Sequence, residues 1–332
     1  MITLMTPDPV VISIIEALQA RDRFVLSSHA RSDGDSIGSQ LALATTLRHL
    51  GKSVRIINHD VPPPYLQSFP AIGDIEVAPA VAGAYDAAVV LECATLSRTE
   101  VTGLDRYFVI NVDHHVGNEM YGALNWFDES ATACGEMVFD LIKGLGVPLT
   151  PDIAIWLYVA ILTDTGGFHH GNITARTFEI CRQVVDAGVS AADVAARVYH
   201  TSSVGKLRLT GSVLNTMKLA GNGRVAVLAV DDQLLDETEC VPDDIEGLVN
   251  LPLTAANVEA VIFFKALDAD LRVSLRSKPG VDVRAVAAAH GGGGHRNAAG
   301  FSVDGALDLV RARIVAEVVA AVDAVTHGEK YG

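Results

Sequence analysis

Acidic and histidine residues recur at the ends of separate apolar runs in this sequence. The residues at or just after these ends are His29, Asp33, Asp35, Glu92, Asp113, His114, His115 and Asp164. Carboxylate oxygens and imidazole nitrogens are common ligands of divalent metals. Because an open α/β sheet collects its functional groups outside the carboxyl ends of its strands, the pattern predicts a single metal site.

The segment HARSDGDSIGS offers one nitrogen and two carboxylates within a short loop. His29 stands four residues before Asp33, and Asp35 follows two residues later. A turn through Gly34 would lead into a helix that Asp35 or Ser36 could cap. The DGD triplet alone fits an ordinary strand-turn-helix junction, but the spacing from the histidine favours a loop that serves different metals.

Two further motifs supply the remaining candidate ligands. Adjacent histidines after a carboxylate, as in Asp113-His114-His115, are costly at a strand end unless they coordinate or hydrogen-bond something. Asp164 lies in DTGGFHH, where two glycines break the preceding apolar helix. By itself the histidine pair could lie on the surface, and Asp164 could belong to a simple helix end.

A glycine-rich segment near the carboxyl terminus predicts anion binding. HGGGGHRNAAGF places four glycines before His295, and Arg276 lies on the preceding predicted strand. Such a stretch exposes backbone N–H groups and lets an anion approach closely. A flexible glycine loop is the alternative, and the neighbouring basic residues favour the anion site.

Hydrophobic periodicity predicts the elements that must position these residues. In the first half, strand-like runs at 23–29, 53–60, 86–93 and 106–113 and a helix over 36–51 indicate a parallel sheet covered by helices. Predicted helices cover 135–146, 151–162 and 174–188. Beyond residue 223, predicted strands at 224–230, 258–267 and 271–278 and helices at 243–251, 282–290 and 306–322 form a smaller α/β unit. The predicted division is a domain over 1–190, a helical linker over 191–222 and a second domain over 223–332.

Composition limits the classes of function. The 332 residues are 49% hydrophobic and carry a net charge of −15, which disfavours tracking along a long polynucleotide but allows a short anionic substrate held by metals. Four scattered cysteines show no CxxC spacing, so neither a zinc knuckle nor a disulfide framework is predicted. No apolar stretch is long enough to cross a bilayer, and we expect a soluble, cytoplasmic protein.

HARSDGDSIGS, VDHH, DTGGF and GGGGHRNAAG, in this order, resemble the DHH phosphoesterases that carry the DHH-associated carboxyl-terminal domain. The resemblance covers nearly the whole chain. DDIEGLVNLPL and VSLRSKPGVDV are most similar to the branch that degrades very short oligoribonucleotides and removes the 3′-phosphate from adenosine 3′,5′-bisphosphate. The resemblance therefore implies an enzyme that is both an exonuclease and a nucleotidase and that uses a hydroxide activated by two metals.

The resemblance also implies a set of metal ligands. The two metals are usually manganese, with Mg²⁺ or Co²⁺ as substitutes. His29 and Asp33 would hold one metal, and Asp35, His114 and Asp164 the other. The family's bridging aspartate falls on Glu92, where this chain departs from the pattern by one methylene. We expect Glu92 to bridge.

Further roles follow from the same resemblance. Asp113 would orient the histidines, and His115 would face the substrate phosphate. Arg98 matches a position near the cleft, although an exposed loop arginine would look the same. In the second domain, the residues expected to bind the phosphate or terminal nucleotide are Arg276 and the 291–295 loop, specifically Gly293, Gly294 and His295.

Three functions remain open from the sequence. The first is hydrolysis of short oligoribonucleotides and nucleotide bisphosphates. The second is hydrolysis of cyclic dinucleotides or of linear products such as pApA. The third is a nucleotide-binding regulatory protein whose catalysis Glu92 has impaired. The resemblance is compatible with a homodimer, and no membrane partner is expected.

Overall fold

Two separate six-stranded sheets organise the chain, each within its own compact unit. The computed structural model describes residues 8–169, 173–267, 270–305 and 307–328. The units are Met1–Thr201 and Ser202–Gly332, so the division falls inside the segment predicted to be a helical linker.

The sheet of the first unit is entirely parallel. Its strands are β1 (Arg23–Ser27), β2 (Ser53–Asn58), β3 (Ile75–Val77), β4 (Ala87–Leu91), β5 (Phe108–Asp113) and β6 (Leu124–Phe127). Their order is β3-β2-β1-β4-β5-β6. Every residue of β4 is buried, as expected for a strand covered on both faces. The predicted parallel sheet is confirmed, while β3 and β6 are short strands that the apolar runs did not indicate.

Among the described residues of this unit, six α-helices accompany the sheet. They are α1 (Pro9–Gln19), α2 (Gly34–His49), α3 (Cys134–Gly144), α4 (Pro151–Asp164), α5 (Ala175–Asp186) and α6 (Ala191–Tyr199). The Asp33 side chain caps α2 by accepting a hydrogen bond from Ser36 N, and Pro151 occupies the first position of α4. Helices α2 and α4 pack together closely, which brings Asp33 and Asp35 toward the end of α4.

The second unit is a mixed α/β fold. Its strands are β7 (Lys218–Ala220), β8 (Val225–Asp231), β9 (Ala260–Leu267), β10 (Asp270–Ser277), β11 (Gly293–His295) and β12 (Ala298–Ser302). Its helices are α7 (Val204–Asn215), α8 (Asp232–Thr238), α9 (Val283–Ala289) and α10 (Leu307–Gly328). The strand order is β11-β12-β10-β9-β8-β7, with β8 and β9 parallel. The predicted second, smaller α/β unit is confirmed.

Two local predictions in the second unit were wrong. The predicted helix over 243–251 is a pair of 3₁₀ turns, Pro242–Ile245 and Leu248–Thr254, because Gly247 has a φ of 85° and interrupts regular helix. The glycine-rich segment is an edge hairpin rather than a loop, since β11 pairs with β12 in antiparallel register.

Within the residues that the structure describes, no helix has both the length and the apolar character needed to span a membrane.

Candidate metal centre

The carboxyl ends of three neighbouring strands carry most of the predicted ligands. Strands β1, β4 and β5 are adjacent, so the residues that follow them share one edge of the sheet. His29 follows β1, Glu92 follows β4, and His114 follows β5. Asp164 reaches the same place from the last residue of α4 rather than from a strand. The predicted convergence of these residues is present in the structure.

Three groups of side chains are close enough to hold metal ions. They are His29 with Asp33 and Glu92; Asp35 with His114 and Asp164; and Glu92 with His114 and His115. In each group the candidate ligand atoms lie within 4.8 Å of one another. The first two groups contain the same residues as the two ligand sets that the sequence resemblance implies, and the third group shares Glu92 with the first and His114 with the second.

Glu92 lies at the centre of the cluster. Its Oε2 is 2.9 Å from His29 Nε2, and its Oε1 is 3.2 Å from His114 Nε2 and 3.1 Å from His115 Nδ1. The side chain is buried, and the backbone has a φ of 57°, a conformation that non-glycine residues adopt rarely. The longer side chain therefore presents both oxygens to the two sides of the site.

Backbone carbonyls orient the two inner histidines. His29 Nδ1 donates to Ala30 O at 2.9 Å, and His114 Nδ1 donates to Ala131 O at 3.1 Å. A proton held on Nδ1 leaves Nε2 free to act as a ligand. Both Nε2 atoms face the carboxylates, as a metal-binding imidazole requires.

Asp35 is held by the start of α3. Its Oδ2 accepts from Cys134 N at 2.6 Å, and its Oδ1 accepts from Gly135 N and Ser39 Oγ, each at 3.0 Å. The positive end of a helix dipole favours a carboxylate at this position. No side-chain pattern in the sequence identifies these backbone donors, so sequence reasoning missed them.

The protonation equilibria show how the site balances its own charge. Burial opposes ionisation of Glu92, but hydrogen bonds from His114 and His29 dominate and lower its pKa to about 2. Burial likewise opposes the charge on His29, while Glu92 raises the pKa of that imidazole to about 9. The pKa of His114 rises to about 10 by the same balance of burial against Glu92, Asp35 and Asp164.

Two other carboxyl groups, those of Asp35 and Asp164, have raised pKa values. Burial and then the charges of Glu92 and Asp164 raise the pKa of Asp35 well above its usual value. Burial also raises the pKa of Asp164 to about 6, with His114 opposing and Glu92 adding to the rise. Crowded carboxylates beside oriented imidazoles form a mixed oxygen and nitrogen donor set that fits divalent cations.

Asp113 holds His115. Its Oδ1 accepts from His115 N at 3.2 Å and lies 3.0 Å from His115 Nδ1, while its Oδ2 accepts from Asn118 Nδ2 at 2.6 Å. His115 is half-buried and its Nδ1 also faces Glu92. The imidazole predicted to face the substrate therefore lies at the border of the ligand set.

The loop after β1 is tied to two neighbouring loops. Ala30 N donates to the carbonyl of Arg98 at 2.7 Å, which places the exposed Arg98 beside this loop. Arg31 has a φ of 57°, and its N–H donates to Asp60 Oδ2 at 2.6 Å. Sequence reasoning missed Asp60, although an acid that follows a predicted strand was the signal used elsewhere.

The remaining predicted residues belong to the second unit and are described within it. Arg276 on β10 and His295 on β11 both pair in register with Ala298 of β12, so they share one face of the sheet. Gly293 and Gly294 lie on the exposed edge strand. A Cβ at Gly294 would be 2.4 Å from Ala298 O, so the close pairing of this hairpin requires glycine there.

Sequence comparisons assign both units. Residues 23–161 match the model of the DHH family, N-terminal domain, and residues 222–325 match the DHHA1 domain. The chain is 33% identical to the "Bifunctional oligoribonuclease and PAP phosphatase NrnA" of Thermus thermophilus, over 86% of each chain. This protein belongs to the DHH family. The DHH match contains all the candidate ligands except Asp164, which lies three residues beyond it, and the DHHA1 match contains the glycine-rich hairpin.

Solved structures show the same fold. An exopolyphosphatase-related protein from Bacteroides fragilis superposes with a TM-score of 0.82 at 25% identity, covering 100% of this chain and 98% of that one. The exonuclease RecJ, solved with manganese, superposes with a TM-score of 0.54 at 15% identity and 96% coverage of both chains. The family fold therefore extends through both units.

Proposed function

We propose that this protein is a phosphoesterase that hydrolyses short oligoribonucleotides to mononucleotides and removes the 3′-phosphate of adenosine 3′,5′-bisphosphate. The observation that carries the proposal is the cluster of three candidate ligand groups, two of which share Glu92 and the third of which is joined to them through His114. The family relative from Thermus thermophilus, whose name states both activities, supports the substrate class.

The ligand roles are part of the proposal. His29 and Asp33 would hold one divalent cation, Asp35, His114 and Asp164 would hold the second, and Glu92 would contribute to both. When bound, such a pair supplies Lewis-acid stabilisation of phosphoryl charge and acidifies water. Manganese suits the mixed carboxylate and imidazole set, with Mg²⁺ and Co²⁺ as substitutes.

Residues around the ligands would position the substrate. His115, held by Asp113, stands half-exposed beside Glu92 and can donate a hydrogen bond to a phosphate oxygen. Arg98 adds positive charge next to the loop of His29. In the DHHA1 domain, Arg276 and the hairpin of Gly293, Gly294 and His295 would bind a phosphate or terminal nucleotide. Because few phosphates need be held, a chain with a net charge of −15 can still bind a short oligonucleotide.

The direct test compares substrates with a ligand variant as control. Purified protein with Mn²⁺ is incubated with end-labelled RNA dinucleotide, a longer RNA, adenosine 3′,5′-bisphosphate and cyclic di-AMP, beside Asp35→Ala. We expect conversion of the dinucleotide and the bisphosphate, together with loss of metal and activity in Asp35→Ala. The exposed Asp105→Ala variant should behave as the wild type.

Each other outcome selects a different function. Activity on cyclic di-AMP alone would indicate that the protein hydrolyses cyclic dinucleotides. A preference for pApA as the dinucleotide would indicate that it hydrolyses their linear products. Inactivity on all four substrates, with both metals bound, would favour a nucleotide-binding regulatory protein.

The proposal also includes the cellular location and the oligomeric state of the protein. The four cysteines are free thiols, which accords with a reducing cytoplasm. A homodimer remains a prediction that sedimentation of the purified protein would check.

A further inference from the structure

An apolar recess opens within the first unit at the end of α4, the helix whose last residue is Asp164. Its volume is about 620 Å³. Its lining includes Tyr158, Leu162, Gly166, Gly167, Phe168 and Tyr199. The wall is thus built by the last turns of α4, the DTGGF turn and one face of α6. None of these side chains belongs to the ligand groups, so the proposed chemistry leaves the recess unexplained.

Aromatic rings dominate this recess and its rim. The rings of Phe168 and Phe178 stack with centroids 5.5 Å apart and planes at 20°, and Tyr158 lies 6.5 Å from Phe168. Phe178 is 56% exposed and Tyr199 is 47% exposed. A second depression of about 330 Å³ lies along Phe168 and Phe178, so flat apolar faces are available on both sides.

Residues that line the recess are close in sequence to a candidate metal ligand. Leu162 and Gly166 line it, and each is two residues from Asp164. The hydroxyl of Tyr199 donates to Leu162 O at 3.0 Å, which fixes that ring over the end of α4. A Cβ at Gly167 would approach the Tyr199 hydroxyl to 3.4 Å, and Gly167 has a φ of 69°. The glycine turn after Asp164 therefore forms part of the recess wall.

Helix α6, which lines the recess, also packs against a turn whose tyrosine is near Asp33. Helix α6, which ends in Tyr199, packs against the 3₁₀ turn Pro64–Leu66. Burial and the charge of Asp33 raise the pKa of Tyr65 in that turn to about 12, with Tyr199 adding to the rise. Tyr65 is therefore close enough to both Asp33 and Tyr199 for each to affect its ionisation.

We propose that this recess binds a nucleobase of the substrate while the adjoining phosphate lies at the metal centre. The inference rests on the proposed function and names a subsite for it. Bases stack on aromatic rings whatever their identity, because every base has a π-face. Because the lining is mainly aromatic and aliphatic, the subsite should accept all four bases and favour purines by their larger stacking area.

The test compares substrates with and without a base. We would measure kcat and KM of the wild type, Tyr199→Ala and Phe178→Ala on an RNA dinucleotide and on two analogues, each abasic at one end. Tyr107→Ala is the matched control, because its hydroxyl also donates to a backbone carbonyl, while it precedes β5 and so lies at the amino ends of the strands, opposite the candidate ligands. Metal content is measured on every variant.

The expected result separates binding from chemistry. Both variants should raise KM for the dinucleotide roughly 10-fold, the size of one lost stacking interaction, with kcat and metal content little changed. One of the two abasic analogues lacks the base that the recess would bind. On that analogue, the variants and the wild type should have the same KM. Unchanged KM on the dinucleotide, or an equal increase on all three substrates, would overturn the inference.

Two further measurements, of AMP binding and of oligomeric state, test the recess without relying on hydrolysis. If the wild type cleaves none of these substrates, the proposed function fails, and calorimetric binding of AMP tests the recess alone. Binding that weakens in Tyr199→Ala supports the subsite, and binding that is absent or unaffected overturns it. A wild-type dimer that Phe178→Ala and Tyr199→Ala convert to monomers without a KM change would show that a second copy covers the recess, which also overturns the inference.

Discussion

Glu92 is the residue on which the two proposed metal positions meet. Its φ of 57° turns the backbone out of β4, and its carboxylate contacts three imidazoles. An unfavourable backbone conformation persists only where surrounding contacts hold it. A longer side chain in this geometry places each oxygen beside a different histidine. We therefore interpret Glu92 as a working ligand rather than as a defect.

Shortening this side chain tests that interpretation. Glu92→Asp should lower turnover by about 10- to 100-fold, because withdrawing the carboxylate by one methylene misplaces the reacting groups by about 1 Å. Turnover and bound metal are measured beside the exposed control Glu16→Asp. A large gain in turnover would instead indicate a naturally impaired site, as a regulatory protein would have.

The same residues predict proton release when metal binds. Without metal, the pKa values of His29 and His114 are raised to about 9 and about 10, so both imidazoles are protonated at neutral pH. An imidazole must be neutral to bind a metal, so binding near pH 7 should release about two protons from these two histidines, and affinity should rise with pH up to these pKa values. Calorimetric titrations in buffers of different ionisation enthalpy measure the release. Metal binding without proton release would contradict the proposed ligand roles of these histidines.

At the scale of elements, the packing of α2 against α4 sets the spacing of the ligands. Asp35 lies in the first turn of α2, and Asp164 is the last residue of α4. Gly38 allows the two helices to touch, since a Cβ there would be 2.5 Å from Trp156 O and 3.0 Å from the Ala160 Cβ. A close helix contact thus positions two carboxylates that are far apart in sequence.

Gly38→Ala should separate these helices. In an unconstrained helix, alanine would stabilise by up to about 1 kcal/mol, but here overpacking should cost about 1–3 kcal/mol and weaken metal binding. Urea unfolding and metal titration measure the two effects. Gly73→Ala is the matched control, because nothing lies within 4 Å of its Cβ position. Wild-type stability and metal affinity in Gly38→Ala would show that this contact does not set the ligand spacing.

At the scale of the whole molecule, the two domains divide the proposed work. The DHH domain contains the ligand cluster, whereas Arg276 and His295 share a face of the DHHA1 sheet. Losing a hydrogen bond to a charged phosphate weakens binding without affecting the metals.

Arg276→Ala and His295→Ala should therefore raise KM for the dinucleotide by roughly 10- to 100-fold, with metal content unchanged. Steady-state kinetics and metal analysis check this beside the exposed control Arg284→Ala on α9. Loss of metal in either variant would place these residues in the ligand site and contradict the division.

Much of the fold could be predicted because hydrophobic runs are local. The strands β1, β4 and β5 are apolar and largely buried, so their sequences indicate them directly. The strands β3 and β6 are short and partly exposed, and they exist because a neighbouring strand offers its edge. The two 3₁₀ turns over 242–254 are separated by Gly247, whose φ is positive. Glycine permits a positive φ but also permits a negative one, so the residue type alone does not predict this break.

The sequence by itself determined which side chains have the chemistry to bind metal and that they follow buried apolar elements, whereas the hairpin that requires Gly294 was seen only in the structure. Only the tertiary structure decided which groups meet. Strand order places the ends of β1, β4 and β5 together, and helix packing brings the backbone donors of α3 to Asp35. The aromatic recess likewise joins Phe168, Phe178 and Tyr199 from different elements. Ligand type is a property of single side chains, whereas proximity depends on how distant segments pack.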